Sequence, residues 1–256
     1  MSSPENRPYN LLAKFYDELL PEMGEINRHA RSKMLHELFD DIDSVCDLAC
    51  GSGLTTLDFA RAGKRVCAVD NSPEFCRIVR ERARDDGLRV KVLRADMRNF
   101  RLPMQVDLIT CENAALNHLA NHGDIGKVCQ AVHRALRPGG HFLFDVETLL
   151  SFREQFTSGH WQQSPRFLVA MHGTTTEGGR RCRLDVEWFL PRGKLWSHRQ
   201  ETIVHIAWTD QEIKRALRVA GFEKPLFQDG QDVRPPIPGS KRGYDAYYLA
   251  RKPLKS

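Results

Sequence analysis

The spacing of hydrophobic positions changes several times along the chain, and each change marks an element. Between residues 9 and 39, Leu11, Leu12, Phe15 and Leu19 recur at intervals of three and four. After Pro21, so do Ile26, Ala30, Met34, Leu35 and Leu38, so the whole segment is expected to be helical. The period then shortens. Val45-Cys46-Asp47-Leu48-Ala49 is a brief apolar run that stops at Gly51-Ser52-Gly53, the pattern of a buried strand. Residues 54–62 read as a helix stopped by Gly63, and 65–70 (R-V-C-A-V-D) as a second strand. Ser72-Pro73 then opens a helix with Ser at the cap and Pro at the first position, and Gly87 ends it.

The unit repeats. Residues 90–95 and 106–111 predict strands, 124–136 a helix ended by Pro138-Gly139-Gly140, and 141–146 (H-F-L-F-D-V) a fifth strand. Strands alternating with helices imply a parallel sheet covered on both faces, and right-handed crossovers leave few topologies. After Glu147 the pattern changes. Three strand-like stretches, 167–172, 183–190 and 197–206, are separated by Gly178-Gly179 and Pro191-Arg192-Gly193, which predicts a three-stranded antiparallel insertion. Thr209-Asp210 starts a last helix, 211–220, ended by Gly221; 222–228 and 244–250 predict the final strands. The expected fold is α/β, a seven-stranded sheet whose last strand is antiparallel and lies beside the strand at 222–228. The expected organisation is an N-terminal helical lid (1–40), a ligand-binding domain (41–147 and 209–256) and the antiparallel β insertion (148–208). Chain inserted after the fifth strand must pass over the carboxyl edge, so it is expected to serve as a lid or a dimer surface.

Composition narrows the setting. Hydrophobic residues make up 41% and charged residues 28%, the balance of a globular chain rather than a disordered one. No apolar run reaches the ~20 residues that span a bilayer. Residues 1–9 lack the apolar core of a secretion signal, so a cytoplasmic location is expected. The 7 cysteines have no paired C-x-x-C spacing, which speaks against a disulfide framework and against a metal site. Residues 1–150 carry 20 Lys+Arg against 22 Asp+Glu, and residues 151–256 carry 18 against 11. The basic residues of the second half are scattered, which describes a solvated face better than a nucleic-acid stripe.

The strongest chemical signal is the first strand and its turn, V-C-D-L-A-C-G-S-G-L. A ligand at the carboxyl edge of such a sheet meets this turn, and Gly51 and Gly53 let the backbone approach it closely. Asp70 ends the next strand 17 residues after Gly53, where an acid can accept hydrogen bonds from both hydroxyls of a ribose. A dinucleotide turn would require a third glycine where Thr56 stands. Asp47 is a poor neighbour for a diphosphate and a good one for the cationic amine of an amino acid. S-adenosylmethionine is thereby favoured over NAD.

At this point the chain resembles the class I S-adenosylmethionine-dependent methyltransferases. D-L-A-C-G-S-G (47–53), V-D-N-S (69–72), R-A-D-M (94–97), V-D-L-I-T-C-E (106–112) and L-R-P-G-G-H-F-L-F-D (136–145) are similar to that family's motifs, in order. The resemblance implies a Rossmann-like methyltransferase sheet and cofactor contacts from Asp47, Ala49, Cys50, Gly51 and Gly53. It also implies ribose contacts at Asp70 and Asn71, adenine contacts at Asp96 and Met97, and Cys111 beside the methyl group. Tyr16-Asp17 and the insertion resemble the branch of glycine N-methyltransferase-like and amino-sugar N-methyltransferases. In that branch Tyr16 and Arg28 would meet the cofactor's carboxylate end.

The reaction then expected is in-line displacement onto N or O of a small polar metabolite, with S-adenosylhomocysteine as product. Alignment should supply most of the rate, with a base only where the nucleophile needs deprotonation. His118 and Glu112 follow the fourth strand and are the candidates, Glu112 more as an orienting group. Tyr9, Phe15, Tyr16 and the four tryptophans are candidate lid aromatics. The fourth strand ends C-E-N-A rather than N-P-P-Y, which speaks against adenine and glutamine amide acceptors. Partners are expected to be a small acceptor, no membrane and no nucleic acid, with a monomer or homodimer. The alternatives are a binding protein without turnover, or an RNA or protein methyltransferase.

Overall fold

The computed structural model describes residues 9, 11–154, 159–236 and 239–254; residues 1–8 of the expected lid lie outside them. The apolar stripe over 9–39 forms two helices, α1 (Leu12–Leu19) and α2 (Met23–Met34), rather than one run. Pro21 lies between them, where its missing N–H and fixed φ end the first. β1 (Ser44–Leu48), α3 (Leu54–Arg61), β2 (Arg65–Asp70), α4 (Pro73–Asp85), β3 (Val90–Arg94) and β4 (Val106–Cys111) follow. Then come a 3₁₀ turn at Ala115–His118, α5 (Asp124–Ala135), β5 (Leu136–Glu147) and α6 (Leu149–Glu154). The chain continues through β6 (His160–Gln163), β7 (Leu168–Thr176), β8 (Arg181–Arg192) and β9 (Leu195–Ile206). It ends with α7 (Asp210–Ala220), β10 (Leu226–Asp229), α8 (Gly230–Val233) and β11 (Asp245–Arg251).

Seven strands form one sheet in the order β10-β11-β5-β4-β1-β2-β3. β1, β2, β3, β4 and β5 pair in parallel, whereas β11 is antiparallel to both β5 and β10. β11 therefore sits where the sequence predicts, inserted beside the penultimate strand. Strand order reverses between β1 and β4, and a doubly wound sheet opens its binding crevice at such a point. The parallel strands are buried on both faces: β1 and β4 have no exposed residue. Ile125, Val128, Val132, Ile213 and Leu217 of α5 and α7 pack with Phe142, Phe144 and Val146 on one face. Ala30, Met34 and Phe59 of α2 and α3 pack with Val45, Leu108 and Leu143 on the other.

The insertion is a four-stranded antiparallel sheet, β6-β7-β8-β9, one strand more than the sequence predicts. The missed strand, H-W-Q-Q, carries no alternation of apolar and polar residues; it forms by pairing with β7 at the sheet edge. α1 packs on this second sheet through Phe15 and Leu19, against Phe167, Val186, Trp188 and Ile203. Its first turn has no cap of its own. Glu201 of β9, only 5% exposed, accepts hydrogen bonds from the backbone N–H groups of Leu11 (3.0 Å) and Leu12 (3.3 Å) and from Trp188 Nε1. A carboxylate at a helix N-terminus satisfies otherwise orphaned donors and complements the dipole.

Local signals close the other helices. Ser72 Oγ accepts from Phe75 N at the start of α4, with Pro73 behind it. Thr209 and Glu212 form a reciprocal capping box on α7, and Gly221 ends that helix at φ 96°. Thr209→Ala is expected to cost about 1 kcal/mol of unfolding free energy through the lost cap. Urea denaturation measures it, and an unchanged midpoint would show that α7 is held by packing alone.

Candidate active site

Leu48, the last residue of β1, opens onto a cavity of about 760 Å³ at the carboxyl edge of the large sheet. Its floor is made by the ends of β1, β2, β4 and β5 and its roof by α1 and the inner face of the second sheet, including Tyr16, Met171, Val186 and Ile203. The glycine turn forms one end. Ala49 (φ 57°) and Gly51 (φ 52°) both adopt left-handed backbone, and Ala49, with its Cβ, does so at a steric cost. Cys50 N–H bonds to Val69 O at 3.1 Å, tying the turn to β2. Gly53 caps α3 at φ 87°, and a Cβ there would lie 2.8 Å from Val79 Cγ2. Ala49, Cys50 and Gly51 line the cavity; Gly53 shapes the turn behind it.

Asp70 ends β2 with both carboxylate oxygens oriented. Oδ2 accepts from Gly51 N (2.9 Å) and Oδ1 from Ser72 N (2.8 Å), and burial raises its pKa. Each oxygen retains a lone pair toward the cavity. Asn71, Asp96 and Met97 lie on the same wall. The Asp96 carboxylate is clamped by Arg98 (2.6 and 2.9 Å), which holds its pKa below the usual range.

Strand alternation places Asp47 of β1, Thr110 of β4 and Asp145 and Glu147 of β5 on the face that carries α2 and α3. Asp47 does not reach the cavity. Its oxygens accept from Thr56 Oγ1 (2.6 Å) and Thr110 Oγ1 (3.2 Å), and burial pushes its pKa up to about 7. The residue that reads in the sequence as a departure from the dinucleotide turn, Thr56, is thus the hydrogen-bond donor that holds Asp47. Glu112, just past β4, does line the cavity, and its Oε2 accepts from Arg31 (2.7 Å) and Thr55 Oγ1 (2.6 Å).

Besides Asp47, two more expected residues lie elsewhere. Arg28 is outside the cavity, ion-paired with Asp58 at 3.1 Å with a side chain 63% exposed. The buried stripe of α2 is Asn27, Ala30, Arg31 and Met34, and Arg28 falls off it. Arg31, three residues on, is the arginine that turns inward. Cys111 is fully buried in the core beneath the cavity and does not line it. Tyr16 lines the roof, edge-on to Phe75 at 5.6 Å, with its hydroxyl pushed up to about 12 by burial and then by Asp17. Of the other candidate aromatics, only Tyr9 reaches the cavity; Phe15, Trp188 and Trp208 are core, and Trp161 and Trp196 are exposed.

His118 lies in the wall with Tyr9 Oη 2.7 Å from its Nδ1 and the His205 ring edge-on at 4.2 Å. Burial lowers its pKa to about 4, so the imidazole is neutral at pH 7 and Nδ1 can accept from the tyrosine. Beyond it lie Glu147, Asp245 and Arg234, which sequence motifs do not single out. The alternation H-F-L-F-D-V-E was the available signal, since it aligns Asp145 and Glu147 on one face.

Residues 45–140 match the family described as a methyltransferase domain. YqeM of Bacillus subtilis, a candidate methyltransferase by its name, is 23% identical over 84% of this chain and 86% of its own. A dTDP-3-amino-3,6-dideoxy-alpha-D-glucopyranose N,N-dimethyltransferase of Streptomyces fradiae is 25% identical over 77% of this chain and 78% of its own. An S-adenosylmethionine-dependent methyltransferase from Clostridium acetobutylicum superposes with a TM-score of 0.80 at 20% identity, covering 96% of this chain and 99% of that one. The matched domain, residues 45–140, is a methyltransferase domain, and the fold around it is the seven-stranded α/β fold of an S-adenosylmethionine-dependent methyltransferase.

Arg31 is the keystone of the wall near Glu112: its guanidinium, 7% exposed, also reaches Thr55 and Asp58 at 2.7 Å each. Arg31→Met removes one member of a buried pair and leaves Glu112 uncompensated, a loss expected near 3 kcal/mol. Chemical denaturation measures it; a loss below about 1 kcal/mol would show that water or local rearrangement replaces the guanidinium.

Proposed function

We propose that the chain transfers the methyl group of S-adenosylmethionine to nitrogen or oxygen of a small polar molecule held in the same cavity. The observation that carries this reading is continuity. One enclosure runs from the glycine turn and Asp70, past Glu112 and His118, to Glu147 and Asp245. Its volume lies within the ~300–1,000 Å³ typical of small-ligand sites. The roof of α1 and second sheet supports a small acceptor, as does the likeness to an amino-sugar dimethyltransferase.

The residues fit the methyl donor. Asp70, oriented by two backbone amides, would accept the ribose hydroxyls, with Asn71 beside it. Asp96 and Met97 would face the base, Ala49 to Gly51 would offer close backbone, and Tyr16 would face the carboxylate end. When bound, S-adenosylmethionine supplies an electrophilic methyl carbon on a sulfonium. The chain's own task is to align the acceptor and exclude water. Glu112, fixed by Arg31 and Thr55, orients rather than abstracts; His118 is neutral, and in the tautomer whose Nδ1–H donates to Tyr9 Oη it presents a free Nε2 lone pair as a base.

Methyl-labelled S-adenosylmethionine, incubated in parallel with low-molecular-weight metabolites, RNA and protein, tests the proposal. Label should enter the small-molecule fraction alone. Asp70→Ala should lower transfer at limiting cofactor by about tenfold or more, the equivalent of one or two charge-assisted hydrogen bonds. Label in RNA or protein would overturn the small-acceptor reading, and tight binding with no transfer would make the chain a binding protein.

A further inference from the structure

The end of the cavity farthest from the glycine turn holds a charge imbalance that the cofactor site does not use. Glu147 and Asp245 are register partners on β5 and β11, and both line the cavity with Arg234. Asp145, two residues before Glu147 on the same face, is 1% exposed. Three carboxyls therefore face one guanidinium. Arg234 is committed: it pairs with Asp245 at 2.6 Å, approaches Asp145 at 3.7 Å and donates to Tyr247 Oη at 2.6 Å.

The remaining acceptors lack donors. Asp145 Oδ2 accepts from Ala114 N at 2.9 Å, but its buried Oδ1 has no hydrogen-bond partner. No described residue donates to the Glu147 carboxyl; Asn117 bonds only the backbone of that residue. A buried carboxyl such as Asp145, and a half-buried one such as Glu147 with no donor, are costly when ionised, so the protein holds protons there. Burial, then Asp245 and Asp145, push Glu147 up to about 8, and burial pushes Asp145 up to about 7. The other ionisable groups around this end include Glu112 just past β4, Cys111 at its end, Tyr16 of α1, Asp229 of β10, Cys182 of β8, His205 of β9 and His118. None of these is a cation at pH 7, His118 and His205 being kept neutral by burial.

We infer that Glu147, with Asp145 and Asp245 behind it, forms a subsite for a ligand ammonium, and that the acceptor is an amine. This rests on the reading of the cavity as a methyl-transfer site and deepens it. The subsite is not placed for the cofactor. β5 is two strand spacings from β1, ~10 Å across the sheet, and β11 is one further. An ammonium beside Glu147 replaces the protons that these carboxyls otherwise retain. Ionised Glu147 can then take one proton from it: the N–H bond breaks, its electron pair stays on nitrogen as the nucleophile's lone pair, and an O–H bond forms on Glu147. Asp145 and Asp245 stabilise the positive charge before that transfer and Arg234 keeps them in place.

The test uses the full chain with carboxyl-¹³C glutamate, the Glu147 resonance being assigned by its absence from Glu147→Gln. Its titration midpoint is followed by NMR in three samples: sodium chloride, methylammonium chloride at equal ionic strength, and methanol, the neutral isostere. Each is saturated with S-adenosylhomocysteine, whose affinity is measured separately, and the sodium chloride sample is also titrated without it. Methylammonium should lower the midpoint by about one unit or more, a tenfold preference for the ionised form. Methanol should leave it in place. Glu147→Gln should bind S-adenosylhomocysteine normally, showing an intact fold, while its methylammonium site disappears. A midpoint unmoved by methylammonium, or moved as far by methanol, overturns the subsite. A midpoint lowered by S-adenosylhomocysteine alone assigns the carboxyls to the cofactor and overturns the amine acceptor. Failure of S-adenosylhomocysteine to bind at all is a different failure, that of the methyl-transfer reading.

Discussion

A buried guanidinium ties α2 to α3 and to Glu112 at the open edge of the sheet, and so braces one side of the cavity. Arg31 reaches Glu112 past the end of β4 and both Thr55 and Asp58 on α3 from one position on α2. Two charges out of water are favourable only when the geometry is close and the remaining lone pairs are filled, and here a threonine hydroxyl fills one. Once α2 is fixed, α1 has little freedom. Its other end is gripped by Glu201 from the second sheet, so the roof is attached at both sides.

The cavity floor is built from groups that would be liabilities elsewhere. Ala49, Asn113 and Ala114 all hold left-handed backbone without being glycine. Each follows the end of β1 or β4, where the chain must turn sharply away from the ligand edge. Such strain persists only where the surroundings over-determine it. The Cys50–Val69 amide bond and the Ala114–Asp145 bond are those surroundings. The carboxyls follow the same economy: Asp47 is satisfied by two threonines, Glu112 by Arg31, and Asp145 and Glu147 only partly, at the end of the cavity where a second molecule would enter.

Much of this is legible in the sequence, for physical reasons that also set the limit. Buried parallel strands read as short apolar runs because both faces are covered, so β1, β2 and β4 are recognisable from composition and turn residues alone. Ser72, Thr209 and Gly221 mark helix ends because the backbone groups there need those residues. Edge strand β6 is not legible, since its pairing with β7 rather than its own pattern makes it a strand. Arg28 and Arg31 differ only by three positions on one helix, and which of them turns inward depends on the rotation of α2 against α3. Asp245 joins the cavity through β11 pairing antiparallel with β5, a contact across about a hundred residues that no local motif encodes, and Arg234, just after α8, joins through its ion pair with Asp245.

The central claim is that this edge of the sheet binds a nucleoside bearing an amino acid rather than a dinucleotide. Isothermal titration of the purified chain with S-adenosylmethionine, S-adenosylhomocysteine and NAD in parallel is the direct test. The account predicts micromolar binding of the first two, about −8 kcal/mol, and none of NAD. Binding of NAD alone, or of none of the three, would contradict it.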